Sequence, residues 1–181
     1  MAHSMGAKEV AATLATRDPG VVIALVLVDV VYNDIQDRET LDGVIAMFQS
    51  GKASEMAAAG MVSEQFNVGS TPEWLKTWHG RRALATLDYV VGGCYRDQHV
   101  EEEIGLVECA RGLMRRREAP WLVVGRDEKG AEVFRGCEGR DGDEIVVMDG
   151  TGHWLHQERW EEFNGLVLEW LGKRGLLPPV E

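Results

Sequence analysis

Val21-Val22-Ile23-Ala24-Leu25-Val26-Leu27-Val28 runs without a polar side chain and ends on Asp29. A strand-sized run with no polar alternation suits a strand buried on both faces, hence a parallel sheet covered by helices. Upstream, Asp18-Pro19-Gly20 stops an amphipathic helix predicted from Met5 to about Thr16 and carried by Val10, Leu14 and several alanines. Downstream, strand patterns return at Trp121-Leu122-Val123-Val124, behind Pro120, and at Glu144-Ile145-Val146-Val147-Met148. A terminal helix from about Glu158 to Lys173 places Trp160, Phe163, Leu166, Val167, Trp170 and Leu171 on one face. Residues 33 to about 117 read as helical, near 38–49, 53–66, 72–91 and 98–117, with Gly51, Gly69, Pro72 and Gly92-Gly93 as punctuation. The order predicts the α/β class: a few-stranded parallel sheet, flanking helices and a helical insertion.

Bulk properties narrow the function. At 181 residues the chain fits one domain, and 45% hydrophobic with 27% charged residues is globular composition. A net charge of −11 argues against nucleic acid as a partner, because phosphate recognition needs basic surface. The one basic cluster, Arg115-Arg116-Arg117, reads as the solvated end of a helix, where cations suit the dipole. Cys94, Cys109 and Cys137 lack the spacing of a disulfide framework or a zinc site, so no metal is expected. A reducing intracellular compartment follows, cytoplasmic or mitochondrial. No apolar run reaches the roughly 18 residues of a membrane span. The oligomeric state stays open.

Two segments carry chemistry. Met1-Ala2-His3-Ser4-Met5-Gly6-Ala7 has the form small-x-Ser-x-Gly at the opening of a helix. That is a nucleophile-elbow pattern: the serine stands on a strained strand-to-helix turn that crowds the positions two residues away. The helix start offers a positive dipole end and the N–H of Met5 as one oxyanion donor. The second segment is Asp149-Gly150-Thr151-Gly152-His153-Trp154-Leu155-His156, after a strand and before the last helix. A histidine on such a glycine-flexed loop can swing over the serine as general base, which selects His153. His156 reads as a local packing residue, and His3 as pocket lining or packing. His79 and His99, in helical stretches, are given no chemistry.

With these motifs on either side of it, the chain resembles the α/β-hydrolase superfamily. His3-Ser4-Met5-Gly6-Ala7-Lys8 and Gly152-His153-Trp154-Leu155-His156 are similar to a branch of small intracellular acyl esterases. The resemblance covers essentially the whole chain. It implies a partial α/β-hydrolase fold: residues 1–32 as elbow, helix and first core strand, 33–117 as a helical cap, and 118–181 as the C-terminal part of the core. It also implies strands before the elbow, so the chain is expected to be truncated at the N-terminus, with Val21–Val28 left as an unpaired edge. In that superfamily the catalytic order is serine, acid, histidine. Asp29, at the end of the first long strand, is the favoured acid. Glu128 and Asp127, after the strand at Trp121–Val124, are its rivals.

The function implied is cleavage of a carboxylic ester or thioester through an acyl-enzyme, with no organic cofactor. A small-molecule ester or thioester is then the partner. Trp74 and Trp78 are expected to line the substrate pocket with His3, and Met47, Phe48, Met56, Met61 and Phe66 to add apolar surface. The alternative is a catalytically inactive hydrolase fragment or interaction module.

Overall fold

A computed structural model describes residues 1–9, 20–30, 37–100, 106–137 and 139–177. Its centre is a parallel sheet in sequence order: β1 (Ala2–His3), β2 (Leu25–Val28), β3 (Trp121–Gly125) and β4 (Glu144–Val147). Leu25 aligns with Trp121 and Val28 with Val124, while His3 aligns with Val28. β2 is therefore paired on both sides, and the two-residue β1 takes the edge expected of Val21–Val28. The strand is also shorter than its apolar run: Val21 and Ile23 are exposed, and pairing with β3 starts at Leu25.

Side-chain alternation divides the strands between two cores. Leu25, Leu27, Trp121 and Val123 join one buried cluster with Ala110, Met114, Val133 and Phe134. These last come from α6 (Val107–Arg116) and α7 (Glu128–Arg135). Val26, Val28, Leu122 and Val124 join the other with Phe163 and Trp170 of α9 (Trp160–Lys173). Each such side chain contributes roughly 1.5–3 kcal/mol on burial. Both faces are covered, which is why β2 and β3 show no polar alternation. α1 (Met5–Glu9) opens the chain's first helix, and the remainder of the helix predicted to Thr16 lies outside the described residues.

Between β2 and β3 the described residues form α2 (Arg38–Phe48), α3 (Ala53–Gly60) with a π-helical turn at Met61–Gln65, α4 (Glu73–Ala85), α5 (Asp88–Val100) and α6. The helix predicted over 72–91 breaks at Thr86-Leu87, where Thr86 turns extended and its hydroxyl donates to the Arg82 carbonyl oxygen. Gly92-Gly93 does not punctuate; it lies inside α5. A Cβ on Gly92 would come within 2.5 Å of the Phe48 carbonyl oxygen, so the glycine permits α5 to meet the end of α2. Phe48 stacks on Tyr95 there, centroids 4.0 Å apart. Asp88 of α5 caps α3, accepting from the Ser54 amide and hydroxyl.

The basic cluster is not wholly solvated. Arg117 is fully buried, paired with Asp143 and lying 3.3 Å from the centre of the Trp121 ring. Asp143 also accepts from the Trp121 amide, so the pair ties the entry of β3 to the loop before β4. An isolated buried cation would be costly, and this partnership offsets the cost.

Candidate active site

The sheet delivers its chemistry at the C-terminal ends of the strands. Just beyond β1, Ser4 has φ 54°. A non-glycine residue in the left-handed region is strained by about 1–3 kcal/mol and persists when its surroundings determine it. Here Ser4 N–H donates to the Val28 carbonyl oxygen (2.9 Å), and Ala7 N–H donates to the Ser4 carbonyl oxygen (3.0 Å). Met5 then opens α1, so its N–H is among the donors that a first helical turn leaves without an intrahelical partner. The crowding expected at Gly6 is absent: a Cβ there would meet nothing within 4 Å among the described residues.

Asp29, just past β2, is the other non-glycine residue with positive φ among those described, at 41°. It and His153 are both buried. Asp29 N–H donates to the Val124 carbonyl oxygen (2.8 Å), and Asp29 Oδ1 accepts from the Arg126 amide (3.1 Å). Its Oδ2 lies 2.5 Å from His153 Nδ1. A carboxylate accepts, so Nδ1 carries a proton, and Nε2 is the nitrogen left to exchange one. The rival acids are engaged elsewhere. Asp127 caps α7, accepting from the Gly130 amide at 2.7 Å. Glu128 is exposed and pairs with Arg135, whose hydrogen bond holds the Glu128 carboxyl below its usual range. Of the three candidate acids, Asp29 is the one brought to His153.

Among the described residues no hydrogen bond joins the Ser4 hydroxyl to His153. Catalytic hydrogen bonds are often long before substrate binds. The two are linked through His3, whose Nε2–H donates to the His153 carbonyl oxygen (2.9 Å) and whose ring centroid lies 4.5 Å from that of His153. His156 flanks His3 on another side, at 4.7 Å. Burial first, and then the nearby His153, push His3 down to about 3. Burial also lowers His79 and His156. These three imidazoles are therefore neutral near pH 7. No three His, Cys, Asp or Glu side chains among the described residues converge as metal ligands do.

Ser4, His3 and Met5 open into a cavity of about 850 Å³ beneath the helical block. Phe48, Met56 and Met61 line it, as their apolar character predicts, together with Val44, Val91 and Trp154. Trp74 and Trp78 do not: they sit on the outer face of α4, about half exposed, with ring centroids 6.3 Å apart. Met47 is exposed, and Phe66 packs on Trp154. Spacing along one helix does not tell its inner face from its outer one. What sequence reasoning missed is His79, which is buried, lines the cavity, stacks on Trp154 at 3.8 Å and donates from Nε2 to Gln157 Oε1. Its signal is weak, a lone histidine close to two tryptophans on one helix. The side chain of His99 lies outside the described residues.

A doubly covered parallel sheet with serine, aspartate and histidine at strand ends defines an α/β protein of hydrolase architecture. Residues 1–166 match the model of the alpha/beta hydrolase family, and the chain belongs to that family. Among solved structures it is similar to an esterase from Thermogutta terrifontis, with TM-score 0.72 and 17% identity, covering 94% of this chain and 63% of that one. It is also similar to a bromoperoxidase from Bacillus anthracis (TM-score 0.70, 15% identity, 94% and 66% covered). An enol-lactonase from Burkholderia xenovorans LB400 is a third (TM-score 0.64, 16% identity, 94% and 64% covered). Identities this low speak to the fold alone. The chain spans less than two thirds of the length of each of these structures. A comparison with curated proteins found no match. No helix among the described residues is long and apolar enough to cross a membrane.

Proposed function

We propose that this chain carries the catalytic serine, acid and histidine of a serine hydrolase that cleaves a carboxylic ester or thioester through an acyl-enzyme. The single observation behind this reading is the buried Asp29–His153 hydrogen bond beside a left-handed Ser4 at the head of a helix. Ser4 Oγ attacks the acyl carbon while His153 Nε2 takes its proton, and Asp29 stabilises the imidazolium that forms. The Met5 N–H donates to the oxyanion. The imidazolium then protonates the leaving alcohol or thiol, and water, deprotonated by the same Nε2, releases the acid. No organic cofactor or metal enters the scheme.

The helical block within 33–117 serves as the cap, with residues 1–32 and 118–181 as the core. The apolar cavity wall formed by Phe48, Met56 and Met61 supports an apolar acyl group. The test is intact mass after treatment with a fluorophosphonate, with Ser4→Ala as control. One adduct per chain that vanishes in the variant is expected. A folded, soluble chain that takes up no label would favour the alternative, an inactive hydrolase module.

A further inference from the structure

His153 is held by more than Asp29. Its own N–H donates to the Gln65 carbonyl oxygen at 2.7 Å, and the preceding Gly152 N–H donates to Glu158 Oε2 at 2.9 Å. Glu158 closes the short helix α8 (Leu155–Glu158). Its Oε1 accepts from the Thr71 hydroxyl at 2.6 Å, and Thr71 Oγ1 in turn accepts from the Asn67 amide at 2.9 Å. Thr71 is buried, and the Ser70 hydroxyl approaches Oε2 at 3.4 Å. A Cβ on Gly152 would lie 2.6 Å from Glu158 Oε1, 2.7 Å from Thr71 Oγ1 and 2.8 Å from the Gln65 carbonyl oxygen. The glycine is thus pressed into a clamp of three acceptor oxygens.

We infer that Glu158 is a positioning residue for His153, and that Thr71 makes it a latch between the helical block and the histidine loop; this rests on the serine-hydrolase reading above. Glycine leaves the backbone before His153 with the widest conformational choice of any residue. Two successive amides, of residues 152 and 153, remove that choice, one held by the carboxylate and one by the π-helical turn. With the Asp29 bond they orient the imidazole from the backbone as well as from the ring. The carboxylate accepts at both of its oxygens. A glutamine in place of Glu158 would turn its NH2 either against the Gly152 N–H, donor to donor, or toward Thr71 Oγ1, where the Thr71 hydroxyl proton loses its acceptor. The segment 65–71, which links the π-helical turn to α4, therefore reaches the base directly, so an occupant that shifts it shifts His153.

The test compares the rate of fluorophosphonate labelling, as a function of reagent concentration and pH, with the low-field proton NMR signal of His153 Nδ1–H. Glu158→Gln and Thr71→Val are each expected to slow the saturating labelling rate roughly 10- to 100-fold, the loss that a small misplacement of a catalytic group brings. Apparent reagent affinity should hold, and the low-field signal should broaden or vanish. Thr71→Ser, which restores the hydroxyl, should recover most of the loss. Glu73→Gln, at an exposed carboxylate paired with Lys76, removes the same charge and should change nothing. Wild-type rates and an unchanged low-field signal in both Glu158→Gln and Thr71→Val overturn the inference while leaving the hydrolase reading intact. If the unaltered chain takes no label, that reading fails instead. The NMR signal then decides alone: its loss in Glu158→Gln supports the positioning role, and its retention overturns it.

Discussion

The nucleophile elbow and the histidine loop are anchored very differently. Ser4 hangs from a two-residue strand at the sheet edge, and its bonds run to Val28 and Ala7. His153 is gripped from Asp29, Gln65 and, through Gly152, Glu158, while Thr151 Oγ1 donates to the Met148 carbonyl oxygen beneath it. The histidine loop is therefore tied by more long-range bonds than the serine turn. A strained turn persists only as far as its surroundings determine it, and few bonds do so at Ser4.

The largest expected effect separates the chemical role of the elbow from its strain. Ser4→Ala and His153→Ala should each lower fluorophosphonate labelling or ester turnover by about 10⁴-fold or more. Ser4→Gly, equally inactive, should melt above Ser4→Ala, because glycine adopts φ 54° freely; the gap should be about 1 kcal/mol by thermal denaturation. Equal melting would mean that the elbow stores no strain. Next in size is Asp29→Asn, expected to cost about 10²–10⁴-fold by disturbing the His153 tautomer. Asp127→Ala and Glu128→Ala should leave the rate within about twofold, as exposed groups away from the imidazole do. A large loss in either would reopen the choice of acid.

Gly152→Ala probes the grip on the loop. The added methyl has no space, so the variant should lose about 1–3 kcal/mol of stability and a substantial part of its labelling rate. A variant as stable and as fast as the parent would show the loop to be looser than its contacts imply.

A smaller effect is pH-dependent. His3 stands at about 3 in the folded chain against 6.5 when unperturbed. Between those values the unfolded chain holds more protons. Stability should therefore fall as pH drops below about 6.5, with a slope of at most about 1.4 kcal/mol per pH unit for each such histidine. The lowered His79 and His156 add to it with the same sign. Melting temperatures from about pH 7.5 to about pH 5 measure the trend, and His3→Gln should flatten it. A melting temperature that rises on acidification would contradict the burial of these imidazoles. Smallest of all, Trp74→Ala and Trp78→Ala should change KM and kcat by less than about twofold, since both indoles face outward.

Much of the sheet is legible in the chain because its two central strands are buried on both faces, and uninterrupted Val, Leu and Ile record that directly. The strand limits are not, because pairing rather than hydrophobicity decides them: Val21 and Ile23 are as apolar as Leu25 yet pair with no strand among the described residues. The helical block reads as helix but not as separate helices. The break at Thr86 depends on its backbone, and Gly92 serves a crossing with Phe48 rather than a stop. Arg117 looks like solvated charge because nothing in Arg115-Arg116-Arg117 announces Asp143 or the Trp121 ring.

By itself, then, the sequence determined the class of fold, the parallel strands and the serine and histidine segments, because short-range pattern and residue chemistry carry those. The tertiary structure decided which carboxylate meets His153, which face of α4 meets the cavity, and that Glu158 and Thr71 join the histidine loop to the helices. Each of these is a contact between residues far apart in the chain, 124 positions for Asp29 and His153 and 87 for Thr71 and Glu158. Local pattern records the environment of a residue, not the identity of its distant partner.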